Sequence, residues 1–90
     1  MDAQEFETQL RLGGFDEVVT RQLPPGYVLG DHAHPFHARA LVLSGDITLT
    51  VDTAARTYPE GTVFELAAGC THQEAAGAAG VTYLVGRRAA

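Results

Sequence analysis

An all-β fold preceded by one short helix is predicted by three features of this sequence. From residue 15 onward apolar residues come in short runs of strand length, and several runs alternate with polar residues. Glycine or proline interrupts them at intervals of about 8–12 residues, the spacing of a sandwich or barrel. No helical pattern lies between the runs, which disfavours a parallel sheet built from strand–helix–strand units.

Residues 2–12 form the only plausible helix. Phe6 and Leu10 share a face at i, i+4, Asp2, Glu5 and Glu7 sit near the positive end of the helix dipole, and Gly13-Gly14 supplies a stop. A helix this short must lean on the rest of the domain. Strands follow at 15–23, ended by Pro24-Pro25-Gly26, and at 27–29. Residues 39–43 are apolar on both faces and end at Ser44-Gly45. Residues 46–51 place Ile47, Leu49 and Val51 opposite Thr48 and Thr50. Short strands are expected at 56–58 and 62–66. A loop that enters a strand is expected over 67–74, a turn-rich hairpin connector over 75–80, and a last strand at 81–86.

Ninety residues suffice for one domain with one core, spanning 1–90 with a barrel over about 15–86. Apolar residues make up 46% and charged residues 19%, a globular balance with no run long enough for a membrane span. All six basic residues are arginines, dispersed except for Arg87-Arg88, and the net charge is −5. Nucleic acid needs clustered positive charge, so it is excluded as a partner. The acidic start lacks the pattern of a secretory signal, and a single cysteine, Cys70, cannot form an internal disulfide. Both fit the reducing cytoplasm.

Four histidines carry the chemistry: His32, His34, His37 and His72. His32 and His34 are spaced i, i+2, which on a strand aims both rings to one face. His37 has the opposite parity unless the backbone turns at Pro35. A His-x-His pair alone is more often a solvated loop than a metal site, although imidazole is the commonest metal-binding side chain.

The wider spacing resembles the cupin family. Gly26, five residues, His32-Ala33-His34, three residues, Ala38, six residues and Gly45 match its first motif. Gly61, five residues, Ala67-Ala68-Gly69, two residues, His72, three residues and Ala76 match its second. The 15 residues 46–60 separate them. The likeness covers roughly 15–86 and is closest to small single-domain cupins of the conserved-barrel, RmlC-like type. It implies a double-stranded β-helix, the cupin jelly-roll barrel, and a metal site of His32, His34 and His72. Three positions depart from the family: Ala38 stands where it has a metal-binding glutamate, Ala67 replaces a proline and Ala76 an asparagine. His37 is the candidate additional ligand and Asp31 the other group near the gap. Either would need a departure from regular strand geometry.

Three histidine nitrogens on a divalent transition metal leave a position for water or substrate. Zinc, iron, nickel, copper and manganese all stay open. Two functions follow: a metal-dependent enzyme of dioxygenase or isomerase type acting on a small organic molecule, or a non-catalytic module that binds or senses a small ligand, with a structural metal or none. Around this site, Cys70 reads as a small buried residue rather than a reactive thiol. Phe36, Phe64, Tyr27 and Tyr83 read as core rather than pocket lining. Arg39 reads equally as an anion holder and as a surface residue. Glu65 and Glu74 read as a solvated strand face rather than as an acid or base. The outer face of 39–43 needs cover, and a homodimer is expected to supply it.

Overall fold

The computed structural model describes residues 1–90. Helix α1 (Ala3–Leu12) opens the chain, followed by β1 (Glu17–Leu23), β2 (Val28–His32), β3 (Phe36–Val51), β4 (Ala54–Pro59), β5 (Val63–Leu66) and β6 (His72–Ala89). All strand pairings are antiparallel. Asp2 caps α1 by accepting a hydrogen bond from the Glu5 N–H at 2.8 Å, which satisfies one otherwise free backbone donor. No helix is long and apolar enough to cross a membrane.

Two long strands organise the barrel. The first half of β3, from Phe36 to Gly45, pairs with the last part of β6, from Val81 to Ala89. β1 extends this sheet beside β6, and β5 extends it beside β3. Beyond Gly45, Ile47 to Thr50 pair with Gln73 to Ala76, flanked by β2 and β4. Each long strand therefore crosses from one sheet to the other.

The crossing corrects two expectations. Ser44-Gly45 does not end a strand, and 75–80 is not a hairpin connector, since β3 and β6 run on through both. Asp46 alone lies opposite Gly77 to Gly80, so β6 bulges widely where the sheets part. Gly45, at φ +72°, packs against the Gly80 carbonyl with no room for a Cβ, and Gly80 itself has φ +75°. Small residues and left-handed backbone are what a corner of this kind requires, and the same composition imitates a turn.

The core divides along the two faces of β3. Ala40, Val42, Ile47, Leu49, Phe64, Val81 and Val85 fill the barrel. Leu41 and Leu84 face outward and are covered by Phe6 and Leu10 of α1, with Leu43 and Val63 half-buried beside them. The apolar outer face therefore finds its cover within the same chain. The reason for expecting a partner subunit there falls away.

Phe6 is fully buried. Phe6→Ala should cost about 3–5 kcal/mol, as removal of a core aromatic does, read from urea unfolding. A loss below about 1 kcal/mol would mean that α1 is dispensable as the cover of this sheet.

Candidate metal centre

His32 ends β2, His34 lies in the short link to β3, and His72 opens β6, directly opposite His32. Regular pairing would not achieve this. Leu29 pairs with Glu74 and His32 with His72, so Gly30 and Asp31 together oppose Gln73. This bulge inverts the alternation of β2. Without it Asp31, not His32, would face His72. Instead Asp31 is exposed and accepts a hydrogen bond from the Gln73 side-chain amide at 3.0 Å, away from the histidines.

The second-motif loop is tied to the first motif by its backbone. The Gly69 N–H donates to the His34 carbonyl at 2.8 Å, and the Ala68 N–H donates to His37 Nδ1 at 3.1 Å. His37 thus fastens the loop that delivers His72. It stands outside the histidine cluster, on the other side of β3, because Phe36 and Ala38 take the inward positions.

The structure brings a fourth group to the three histidines. Donor atoms of His32, His34, His72 and Glu74 all lie within 4.8 Å of one another. Glu74 is only 7% exposed. It sits two residues after His72, on the same inward face of β6. Expected on a solvated face, it instead brings a carboxylate to the histidines, while Ala38, where the resemblance implies a glutamate, offers only a methyl group. The alternation that aligned His32 with His34 applies equally to His72 and Glu74 once β6 is known to start at His72.

The hydrogen bonding shows what this cluster is suited to hold. His32 Nδ1 is 2.8 Å from the Gly30 carbonyl and His72 Nδ1 is 3.0 Å from the Cys70 carbonyl. A carbonyl only accepts, so both Nδ1 atoms carry protons, and in the neutral form of this tautomer each ring presents a lone pair at Nε2. His32 Nε2 lies 2.7 Å and His72 Nε2 3.5 Å from the same Glu74 oxygen. Both nitrogens are buried, and neither makes an aligned hydrogen bond. Lone pairs facing a carboxylate inside a barrel repel, and burying them without a partner costs several kcal/mol. A cation among them removes that cost. Burial holds the His34 pKa below its ordinary value, reinforced by neighbouring His72 and His32, which keeps that ring in its ligating form. Three nitrogens and one carboxylate oxygen fit a divalent transition metal.

The remaining residues separate clearly. A cavity with about 30 Å³ of water-sized space adjoins the cluster, with Phe36, Phe64 and Tyr83 in its wall. Phe64 and Tyr83 belong to the buried core, with Phe36 packed against it, as the sequence suggests, and all three also line this cavity. Tyr27 packs against the core. Arg39 pairs with the exposed Glu65 at 3.0 Å and lies over the Phe6 ring, on the outer side of the sheet. Cys70 is a half-buried free thiol whose carbonyl, not its sulfur, serves the site.

No family profile and no curated protein matches the chain in sequence. Solved structures match its fold. A Rhizobium leguminosarum protein of unknown function superposes with a TM-score of 0.76 at 16% identity, covering 81% of this chain and 69% of that one. A cupin-2 domain protein from Shewanella frigidimarina gives 0.66 at 13% identity, covering 76% and 65%. A Klebsiella pneumoniae protein with a double-stranded β-helix domain gives 0.68 at 19% identity, covering 79% and 64%. The chain spans about two thirds of the length of each. With its long strands crossing between two sheets, and with the same architecture in these proteins, the chain has the double-stranded β-helix fold of the small cupins.

Proposed function

We propose that this protein is a metal-dependent enzyme of the dioxygenase or isomerase type, acting on a small organic molecule in the barrel cavity. The observation that carries the reading is the pair of buried imidazole nitrogens that make no aligned hydrogen bond. His32 and His72 turn Nε2 toward a buried carboxylate, an arrangement that favours a cation and has no evident structural purpose without one. His32, His34, His72 and Glu74 would hold the ion. A divalent metal there supplies Lewis acidity toward a bound oxygen donor.

The chain's own residues prepare that chemistry. The Gly30 and Cys70 carbonyls fix the tautomers of His32 and His72. His34 stacks on Phe36, with ring centroids 4.8 Å apart, which locks its orientation. Phe64, Leu66 and Val85 give the cavity apolar walls that limit water. Burial pushes the Tyr83 pKa up, so its hydroxyl stays protonated and available as a donor.

Elemental analysis of protein purified without added metal, followed by oxygen uptake and product analysis with a panel of small molecules, tests the reading. A redox-active ion with turnover supports it. A metal-free barrel that retains an organic ligand would favour the non-catalytic binding module instead.

His72→Ala and Glu74→Gln should each reduce metal from about one ion per chain to a small fraction of that, while His37→Ala should retain most of it. Loss in His37→Ala alone would contradict the ligand set.

Ala38 offers a second check. It lines the same cavity as His34 and Glu74 and is nearly buried. Placing Ala38→Glu in the Glu74→Gln background should return a carboxylate to the ion from β3 and recover part of the metal-induced rise in melting temperature. Overpacking should lower the melting temperature with chelator present, at a cost of about 1–3 kcal/mol. A double variant no more responsive to metal than Glu74→Gln would show that position 38 does not face the ion.

A further inference from the structure

Inward positions on the strands of a small barrel normally carry apolar residues, and two neighbouring strands here break that rule. On β1, Val19 and Leu23 point into the core, so Arg21 between them shares their face. On β6, Val81, Tyr83 and Val85 point inward, and Arg87 continues the same parity. The strands are paired, with Arg21 opposite Tyr83 and Arg87 opposite Glu17. Both arginines line the same cavity as His34 and Glu74.

Neither guanidinium is used up by the protein. Arg21 makes no ion pair with a carboxylate, unlike Arg11, Arg39 and Arg87. Arg87 gives one N–H to the exposed Glu17 at 3.1 Å and lies over the Phe36 ring at 4.8 Å. A guanidinium has five N–H donors, so most of its capacity remains, and an exposed ion pair is readily exchanged. In a chain of net charge −5, two cations lining one cavity create a local site for an anion.

We propose that this cavity binds a small carboxylic acid as its anion, the carboxylate between Arg21 and Arg87 and the short body directed at His34 and Glu74. The planar fork of arginine suits a carboxylate. The walls, Phe36 and Ala38 among them, suit a short hydrocarbon body. The cavity is small, with about 30 Å³ open to the centre of a water-sized sphere, which suits a short body. Ala38 contributes to this room, because a longer side chain would project into the same space. Only the direction of the body rests on the metal reading; the arginine end stands on the strand pattern.

The test uses the full chain loaded with Co²⁺, whose visible bands report changes at the ion, and propionate as probe against propionamide, its uncharged analogue. Propionate should perturb the bands and bind at least about tenfold more tightly than the amide. Arg21→Gln should remove that preference while Co²⁺ content stays unchanged, and Arg21→Lys should restore part of it. Equal binding of acid and amide, or an acid preference that survives Arg21→Gln, would overturn the proposal. If the chain takes up no Co²⁺, the metal reading fails by itself. The anion site is then decided by whether propionate, but not propionamide, raises the melting temperature of the metal-free protein in an Arg21-dependent way.

Discussion

The long antiparallel pairing of β3 with β6 is the constraint on which the other features rest. Each strand is too long to stay in one sheet of so small a barrel, and each bends where Gly45 meets Gly80. At Gly45 that contact excludes any side chain. It places the first half of β6 against the second half of β3, and so sets His72 and Glu74 in the sheet to which β2 adds. The Gly30–Asp31 bulge then turns β2 by one residue, and His32 arrives opposite His72. Site geometry is thus a consequence of two local irregularities in otherwise regular ladders.

The site shares the inward face of β3 with the larger of the two cores, while the smaller core lies on the outward face. Ala38 and Ala40 look into the barrel, while Leu41 looks outward to Phe6 and Leu10. The outward side is an ordinary apolar core closed by a short amphipathic helix. The inward side carries an acid, three imidazoles and two arginines, groups that a core would otherwise exclude. A domain of this size tolerates that load because the helix adds a second apolar layer outside the sheet.

The sequence made much of this legible. The helix over 2–12, the short alternating strands and the convergence of His32 with His34 follow from periodicity, and the spacing of glycines and histidines points to the cupin barrel. Three features were hidden for physical reasons. The 75–80 stretch reads as a connector because a sheet corner and a turn both demand glycine and alanine. The apolar outer face of 39–43 reads as an interface because nothing in a pattern says which apolar partner covers it, and α1 lies far away in sequence. Glu74 reads as solvated because its parity has meaning only once β6 is known to begin at His72, and the sequence shows a loop there. His37 has the correct residue type but the wrong face, and its ring instead holds the loop at Ala68.

An anomalous-scattering map from crystals of the Co²⁺-loaded chain tests the central claim most directly, because it locates the ion and its ligands independently of any activity. The expected result is one strong peak inside the barrel, within about 2.0–2.2 Å of Nε2 of His32 and His72, a ring nitrogen of His34 and a Glu74 oxygen. An ion bound through His37 or Asp31, or a barrel with no ion among these four residues, would contradict it.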